Sequence, residues 1–165
     1  MQQGRLSFNL QIIQPEDSIS SVVESLTYTA NQKGLQVSYD MKNSARILVD
    51  KDRLKQVLIN LVGNAVKYTP KGSVTVTSYS EGDIYMIRVS DTGIGISAEE
   101  QKKLFTRFYR IRSKETENIR GTGLGLWITK EIVSQMGGQL AVESIKGKGT
   151  DFIASFPIVK DLKQG

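Results

Sequence analysis

The 165-residue sequence contains no cysteine and no histidine. The first absence excludes a disulfide framework, a thiolate metal site and a cysteine nucleophile. The second excludes imidazole as a general acid, a general base or a metal ligand within the chain. No apolar run approaches the ~18–20 residues of a membrane span. The opening Met1-Gln2-Gln3-Gly4 lacks the character of a signal peptide. The chain as it stands therefore reads as soluble and suits a reducing compartment. Internal repeats and low-complexity blocks are also missing, which leaves a single globular unit as the expectation.

Apolar residues make up 39% and charged residues 24%, a balance that supports a proper core. The net charge is +5. The basic residues are spread along the chain, apart from one dense patch: Lys102, Lys103, Arg107, Arg110, Arg112 and Lys114. A modest positive balance fits a nucleotide triphosphate or an acidic protein partner. Nucleic-acid binding is the weaker reading, because its usual fold motifs are absent.

Leu6, Phe8, Leu10 and Ile12 alternate with polar residues and predict a strand with one buried face. Pro15-Glu16-Asp17 opens a helix marked by Ile19, Val22, Val23, Leu26 and Ala30, and Gly34 ends it. Leu35, Val37 and Tyr39 form a second strand, and Ile47-Leu48-Val49 a short third. From Asp50 a long helix carries Leu54, Val57, Leu58, Leu61, Val62 and Ala65 at helical spacing, until Thr69-Pro70-Lys71-Gly72 stops it. Strands over 74–79 and 84–89 flank the turn Glu81-Gly82-Asp83. Ser97-Ala98-Glu99-Glu100 fits a capping box opening a short helix with an apolar side of Leu104, Phe105 and Phe108. Residues 111–120 are polar and without period, and read as a mobile loop. A helix follows with Leu124, Ile128, Ile132 and Met136 on one face, stopped by Gly137-Gly138. Strands over 139–144 and 151–156 and a frayed tail from 161 close the chain. Neighbouring strands joined by short turns argue for a mixed, mostly antiparallel sheet. Three substantial helices on one face of it would make a two-layer α/β sandwich.

Gly121-Thr122-Gly123-Leu124-Gly125-Leu126 places three glycines at alternate positions at a helix start. The free N–H groups and partial positive charge there attract anions, and glycine lets the backbone approach them. The same residues also suit a flexible loop before a buried helix. Asn60, Asn64 and Lys67 lie within about 60° of one another around the long helix. Neutral amide oxygens suit Mg²⁺ and a lysine suits a phosphate, although a solvated polar face would look the same. Asp91 ends a strand and enters Asp91-Thr92-Gly93-Ile94-Gly95-Ile96, where a carboxylate can accept from an exocyclic amine such as that of adenine. An ordinary Asp-Gly turn is the plainer alternative. Phe105 and Phe108 fit a core better than a stacking platform. Arg110 and Arg112 could reach a phosphate or be solvated loop charges.

In this order the segments are specific. Asn60-x-x-x-Asn64-Ala65-x-Lys67-Tyr68, Asp91-x-Gly93-x-Gly95, Phe105-x-x-Phe108-Tyr109-Arg110 and Gly121-x-Gly123-x-Gly125 resemble the N, G1, F and G2 boxes of sensor histidine kinases. The resemblance runs over 8–158 and covers only the catalytic, ATP-binding domain. That is the Bergerat-type fold shared with gyrase, chaperone and mismatch-repair ATPases. It implies that Asp91 binds the adenine amine and that Gly93, Ile94, Gly95 and Ile96 form the base pocket. Thr150, in Gly147-x-Gly149-Thr150, would support the base through water. Asn64 would ligate Mg²⁺, with Asn60 near the metal and the γ-phosphate. Lys67 and Tyr68 would contact phosphates and ribose. Phe108 belongs to the F box, and Arg110 is its residue expected to reach the γ-phosphate. Gly121, Thr122, Gly123, Leu124, Gly125 and Leu126 would wrap the phosphates. Residues 111–120 would form a lid, disordered without nucleotide.

Two departures refine this expectation. Hydrolysing relatives carry a glutamate where Asn60 stands, and an amide cannot take a proton from water at neutral pH. Phosphoryl transfer with Asn60, Lys67 and Arg110 as the catalytic set is thus favoured over rapid ATP hydrolysis. The phosphoacceptor histidine is also missing, which assigns it to a separate dimerisation domain. The implied partners are that domain and, through the full-length kinase, a response regulator. Neither nucleic acid nor membrane contact is expected of this domain, which should be monomeric in isolation and cytoplasmic, with a parent protein that could be membrane-anchored. An anti-sigma-type serine kinase on the same fold is the alternative, and a partner-binding module that has lost nucleotide is a further one.

Overall fold

The computed structural model describes residues 7–106 and 124–160, with side chains from residue 126 onward in the second stretch. The elements, in chain order, are β1 (Gln11–Ile13), α1 (Glu16–Gln32), β2 (Gln36–Met41), β3 (Ile47–Val49), α2 (Lys51–Lys67), β4 (Ser73–Glu81), β5 (Ile84–Asp91), α3 (Ala98–Gln101), α4 (Leu124–Gln135), β6 (Gln139–Ile145) and β7 (Gly149–Pro157). Five strands form one sheet in the order β2-β4-β5-β7-β6, and β1 pairs with β3 in a small separate one. The three pairs linked by adjacency of β4, β5, β7 and β6 are antiparallel. Strand β2 is parallel to β4, because the connection between them crosses over through α2.

Alternation along the central strands turns Val74, Val76, Tyr85, Ile87, Val89, Phe152, Ala154 and Phe156 inward. They meet the buried stripe of α2, formed by Leu54, Val57, Leu58, Leu61, Val62 and Ala65, in one core cluster. Helix α2 packs between α1 and α4. The result is the expected two-layer α/β sandwich. On the other sheet face Arg88 binds Asp151 at 2.6 Å and Glu143 at 3.1 Å, tying β5 to β7 and β6.

Helix α2 starts where the sequence places it. The Asp50 carboxylate accepts from the N–H groups of Asp52 and Arg53 and also from that of Asn9. These donors hold its pKa below the ordinary carboxylate range.

Two expectations are corrected. The first strand is only three residues long, and its faces are reversed. Ile12 stands opposite Leu48, and both are exposed, as is Leu10, whereas Ile13 lies opposite the buried Ile47. Period-2 patterning cannot tell which face of a short two-stranded ribbon meets the core, and a one-residue offset flips every side chain. Phe8 is instead half-buried beneath the Arg53 guanidinium, 5.6 Å from its ring centre. The second correction concerns α3. Its capping box forms as expected, with Ser97 and Glu100 satisfying each other's backbone N–H groups. The helix nevertheless ends at Gln101, and i→i−3 hydrogen bonds at Lys103, Leu104 and Thr106 carry the chain on in tight turns. Leu104 is buried there, and Phe105 packs edge-on against Phe152, consistent with a core role.

Candidate functional site

The long helix α2 delivers the first group of side chains. Asn60 and Asn64 lie on the edge of its buried stripe, both half-buried. The Asn60 amide donates to the hydroxyl of Thr129 at 2.9 Å, a bond that ties α2 to α4. Thr129 is fully buried, so this polar contact is enclosed by the helix interface. The Asn64 side chain makes no hydrogen bond to another described residue, which leaves its amide available to a ligand. Lys67 is the exposed last residue of α2, and Tyr68 caps the helix C-terminus.

That C-terminus is held by a residue that sequence reasoning missed. Lys33, at the end of α1, donates to the carbonyls of Val66 at 2.7 Å and Lys67 at 3.2 Å. A cation at a helix C-terminus opposes the partial negative charge there. Partial burial lowers the pKa of this lysine.

The second group gathers where β5 runs out. Asp91 is the last residue of β5 and stands opposite Thr150 in the β5–β7 register. One carboxylate oxygen, Oδ1, accepts from the Gly93 N–H at 2.9 Å and the Thr150 N–H at 3.2 Å. Burial pushes the Asp91 pKa up from 3.8 to about 6, and these two backbone donors oppose the rise. The Thr69 hydroxyl stands near enough to lower it as well, yet forms no hydrogen bond of ordinary geometry.

The loop after Asp91 is locked on both sides. The Ile94 N–H donates to the Tyr68 carbonyl, and the Gly147 N–H donates to the Ile94 carbonyl. A Cβ at position 93 would strike the Tyr68 carbonyl, and one at Gly95 would strike that of Ile145. Gly95 also adopts φ +74°, which glycine favours. Ile96 is buried, and its N–H donates to the Ser144 hydroxyl at 2.7 Å. Ser144 and Thr150 face each other across β6 and β7, with their hydroxyls 2.8 Å apart. An open groove of about 500 Å³ follows the same loop, lined by Pro70, Lys71, Thr92, Gly93, Ile94, Lys146 and Gly147. The chemistry-bearing side chains of Asp91, Asn60 and Asn64 lie outside it.

The fold thus brings the end of α2, the 91–96 loop, Thr150 and α4 into one region. Leu124 and Gly125 begin α4, and Leu126 is half-buried against the core. The Leu124 side chain, together with Phe108, Arg110, the expected lid 111–120, Gly121, Thr122 and Gly123, lies outside what the structure describes. Sequence reasoning missed Thr69, Thr129 and Ser144 as well as Lys33. Ser144 alone had a usable signal, since pairing two strands about the Gly147-Lys148-Gly149 turn sets it opposite Thr150.

Comparison with known proteins agrees with this geometry. The family described as histidine kinase-, DNA gyrase B- and HSP90-like ATPase matches residues 49–160. The chain is 35% identical over 153 residues to the sensor histidine kinase WalK of Bacillus subtilis strain 168, covering 91% of this chain and 25% of that protein. Among solved structures it matches full-length ShkA in complex with AMPPNP, with TM-score 0.83, 29% identity, and 94% of this chain and 32% of that one covered. It also matches the nucleotide-free catalytic domain of histidine kinase ThkA, with TM-score 0.79, 27% identity, and 91% and 98% covered. ThkA has likewise been solved in complex with the response regulator protein TrrA. The chain spans under a third of the length of the curated relatives it matches.

Proposed function

We propose a function from one premise: the chain belongs to the family of histidine kinase-, DNA gyrase B- and HSP90-like ATPases. It is the ATP-binding catalytic domain of a sensor histidine kinase, and its work is to present the γ-phosphate of Mg·ATP to a histidine on a separate dimerisation domain. The full-length kinase would then pass the phosphoryl group to a response regulator. The observation that carries this reading is the Asp91 carboxylate. It is half-buried, fixed through one oxygen by two backbone N–H groups, and next to the end of the helix that bears Asn60 and Asn64.

In this reading Asp91 accepts from the adenine amine, and Gly93, Ile94, Gly95 and Ile96 line the base. Tyr68 and Lys67, at the end of α2, take the ribose and phosphate side. Arg110, Phe108 and the stretch from Gly121 to Leu126 complete the phosphate side in the segment outside the described residues. Among the described residues no cluster of three or more Asp or Glu could hold a metal. The donors present at the site are the neutral amides of Asn60 and Asn64, which fit Mg²⁺ that keeps phosphate oxygens and water as its other ligands. Asn64 would hold it, with Asn60 alongside, and the ion when bound would offset phosphate charge. Phosphoryl transfer depends mainly on positioning and charge neutralisation, so a strong base is not required here. Asn60, engaged by Thr129, holds its place without accepting a proton, which fits slow hydrolysis. Among the described residues no helix is long and apolar enough to cross a membrane. We assign the domain to the cytoplasm, as a monomer when isolated.

Thermal unfolding tests the reading. Mg·ATP at 100 times Kd should stabilise the domain by about 2.7 kcal/mol, since a ligand bound only by the folded state must raise its stability. Asn64→Ala should reduce the added effect of Mg²⁺ over ATP with chelator. No shift at millimolar Mg·ATP would refute nucleotide binding, and an unchanged metal dependence in Asn64→Ala would refute the metal assignment.

A further inference from the structure

Thr129, in the second turn of α4, has no exposed surface, yet its hydroxyl oxygen takes a hydrogen bond from Asn60 Nδ2 at 2.9 Å. The surroundings of this pair are apolar. Val57, one turn before Asn60, and Ile132 and Val133, one turn after Thr129, are fully buried in the same core cluster. Such an interface does not need polar groups for cohesion. Replacing a buried hydrogen-bonded pair by apolar groups of the same shape is nearly neutral, whereas leaving one partner alone carries its desolvation penalty. The reason for the threonine is therefore to be sought in what it does to Asn60.

A carboxamide has a donor end and an acceptor end, and the two point apart. They are so alike in size and shape that apolar packing cannot choose between them. The Thr129 oxygen chooses, because it takes the nitrogen. The Asn60 oxygen is thereby turned away from α4, and no other described residue donates to it. One turn on, the Asn64 amide stands on the same edge of α2. Orientation matters for this pair of amides, because a divalent cation and the protons of its water ligands are both met by oxygen lone pairs. An Asn60 turned the other way would present N–H groups to them.

We propose that Thr129 is a positioning residue for Mg²⁺: by accepting from the Asn60 nitrogen it keeps the amide oxygen on the side where an ion with its water ligands requires it. The assignment rests on the Mg·ATP role of Asn60 and Asn64. It also ties that amide to α4, the helix that continues from the glycine stretch 121–126.

Calorimetry with AMPPNP, once in Mg²⁺ and once in EDTA, reads the proposal as the gain in affinity that the metal gives. Thr129→Val keeps the shape and removes the acceptor. It should cut the gain by about tenfold, the usual loss when the partner behind a metal-site residue is removed, and leave affinity in EDTA nearly unchanged. Thr129→Ser keeps the oxygen and should retain the wild-type gain. In Asn60→Ala the gain should already be reduced, and adding Thr129→Val should reduce it little further, because both changes act through one amide. An equal loss in Mg²⁺ and in EDTA would show a packing role and overturn the proposal. So would an undiminished gain in Thr129→Val, or a full further loss in the Asn60→Ala background. Asn60→Ala alone supplies a check that does not depend on Thr129→Val folding, since a wild-type gain in it overturns the proposal. Failure of the wild type to bind AMPPNP in either buffer would refute the nucleotide reading, and binding without any gain from Mg²⁺ would refute the metal reading. Either result removes the assignment of Thr129 with it.

Discussion

Asp91 is placed against its own preference. A carboxylate exposed to water ionises readily, yet burial pushes this one up to about 6. Because the folded pKa lies above the unfolded value, the folded state holds a proton that the unfolded chain has already released between about pH 4 and pH 6. Stability from this group is therefore full below pH 4 and is lost as pH rises to 6. Above that the folded domain carries the cost of a buried charge. Nucleotide affinity should run the other way, weakening below pH 6 as the carboxylate that accepts the amine is protonated. Asp91→Asn separates the two effects. Its amide oxygen can keep the bonds from Gly93 and Thr150, and it carries no charge to bury. At pH 7 the variant should be more stable to urea by about 1–2 kcal/mol, allowing for partial exposure. It should lose adenine nucleotide binding by at least about a hundredfold, because the amide can present a donor to a donor. Near-normal affinity in calorimetry would sink the adenine role. A loss of stability instead would show that the carboxylate is structurally required.

At the scale of elements, α2 governs the site. One face supplies the core, its edge supplies Asn60 and Asn64, and its C-terminus is fixed by Lys33 and by Ile94. Its N-terminus depends on Asp50, which accepts three backbone N–H bonds. Asp50→Ala should destabilise the domain by about 1–2 kcal/mol in chemical denaturation. The depressed pKa of Asp50 means that its contribution is present at neutral pH and lost as pH falls through the folded-state value. The difference between wild type and variant should therefore shrink in acid. A constant difference would show that the cap acts through packing and not through its charge. The periodicity of α2 was legible in the sequence because every signal for it, from cap to apolar stripe, lies within a few turns. The bond from Asn60 to Thr129 was not, because it joins residues 69 apart.

For the molecule as a whole, the absence of histidine decides what this chain can do alone. With γ-labelled ATP and Mg²⁺ the chain should acquire no acid-labile, base-stable phosphate, the mark of phosphohistidine. Adding a cognate dimerisation domain that bears the acceptor should produce that label on the added domain. There the imidazole nitrogen attacks the γ-phosphorus as the bond to the ADP oxygen breaks and ADP leaves. No label in the presence of a cognate acceptor would count against the kinase reading. The two-layer architecture suits such division of labour, because α2 joins core and site in a single element and leaves the acceptor to arrive from outside.

The sequence by itself determined the helices, most of the strands, both capping signals and the order of the four boxes. Each depends on neighbours in the chain: apolar residues at helical or alternating spacing, and a side chain that bonds a backbone two or three residues away. Tertiary structure alone decided which face of β1 meets the core, that β2 lies parallel to β4, and that the Thr150 N–H reaches Asp91. Those outcomes depend on burial and on partners brought together across the sheet. Thr150 donates to Asp91 from 59 residues away, and no local pattern contains that pairing.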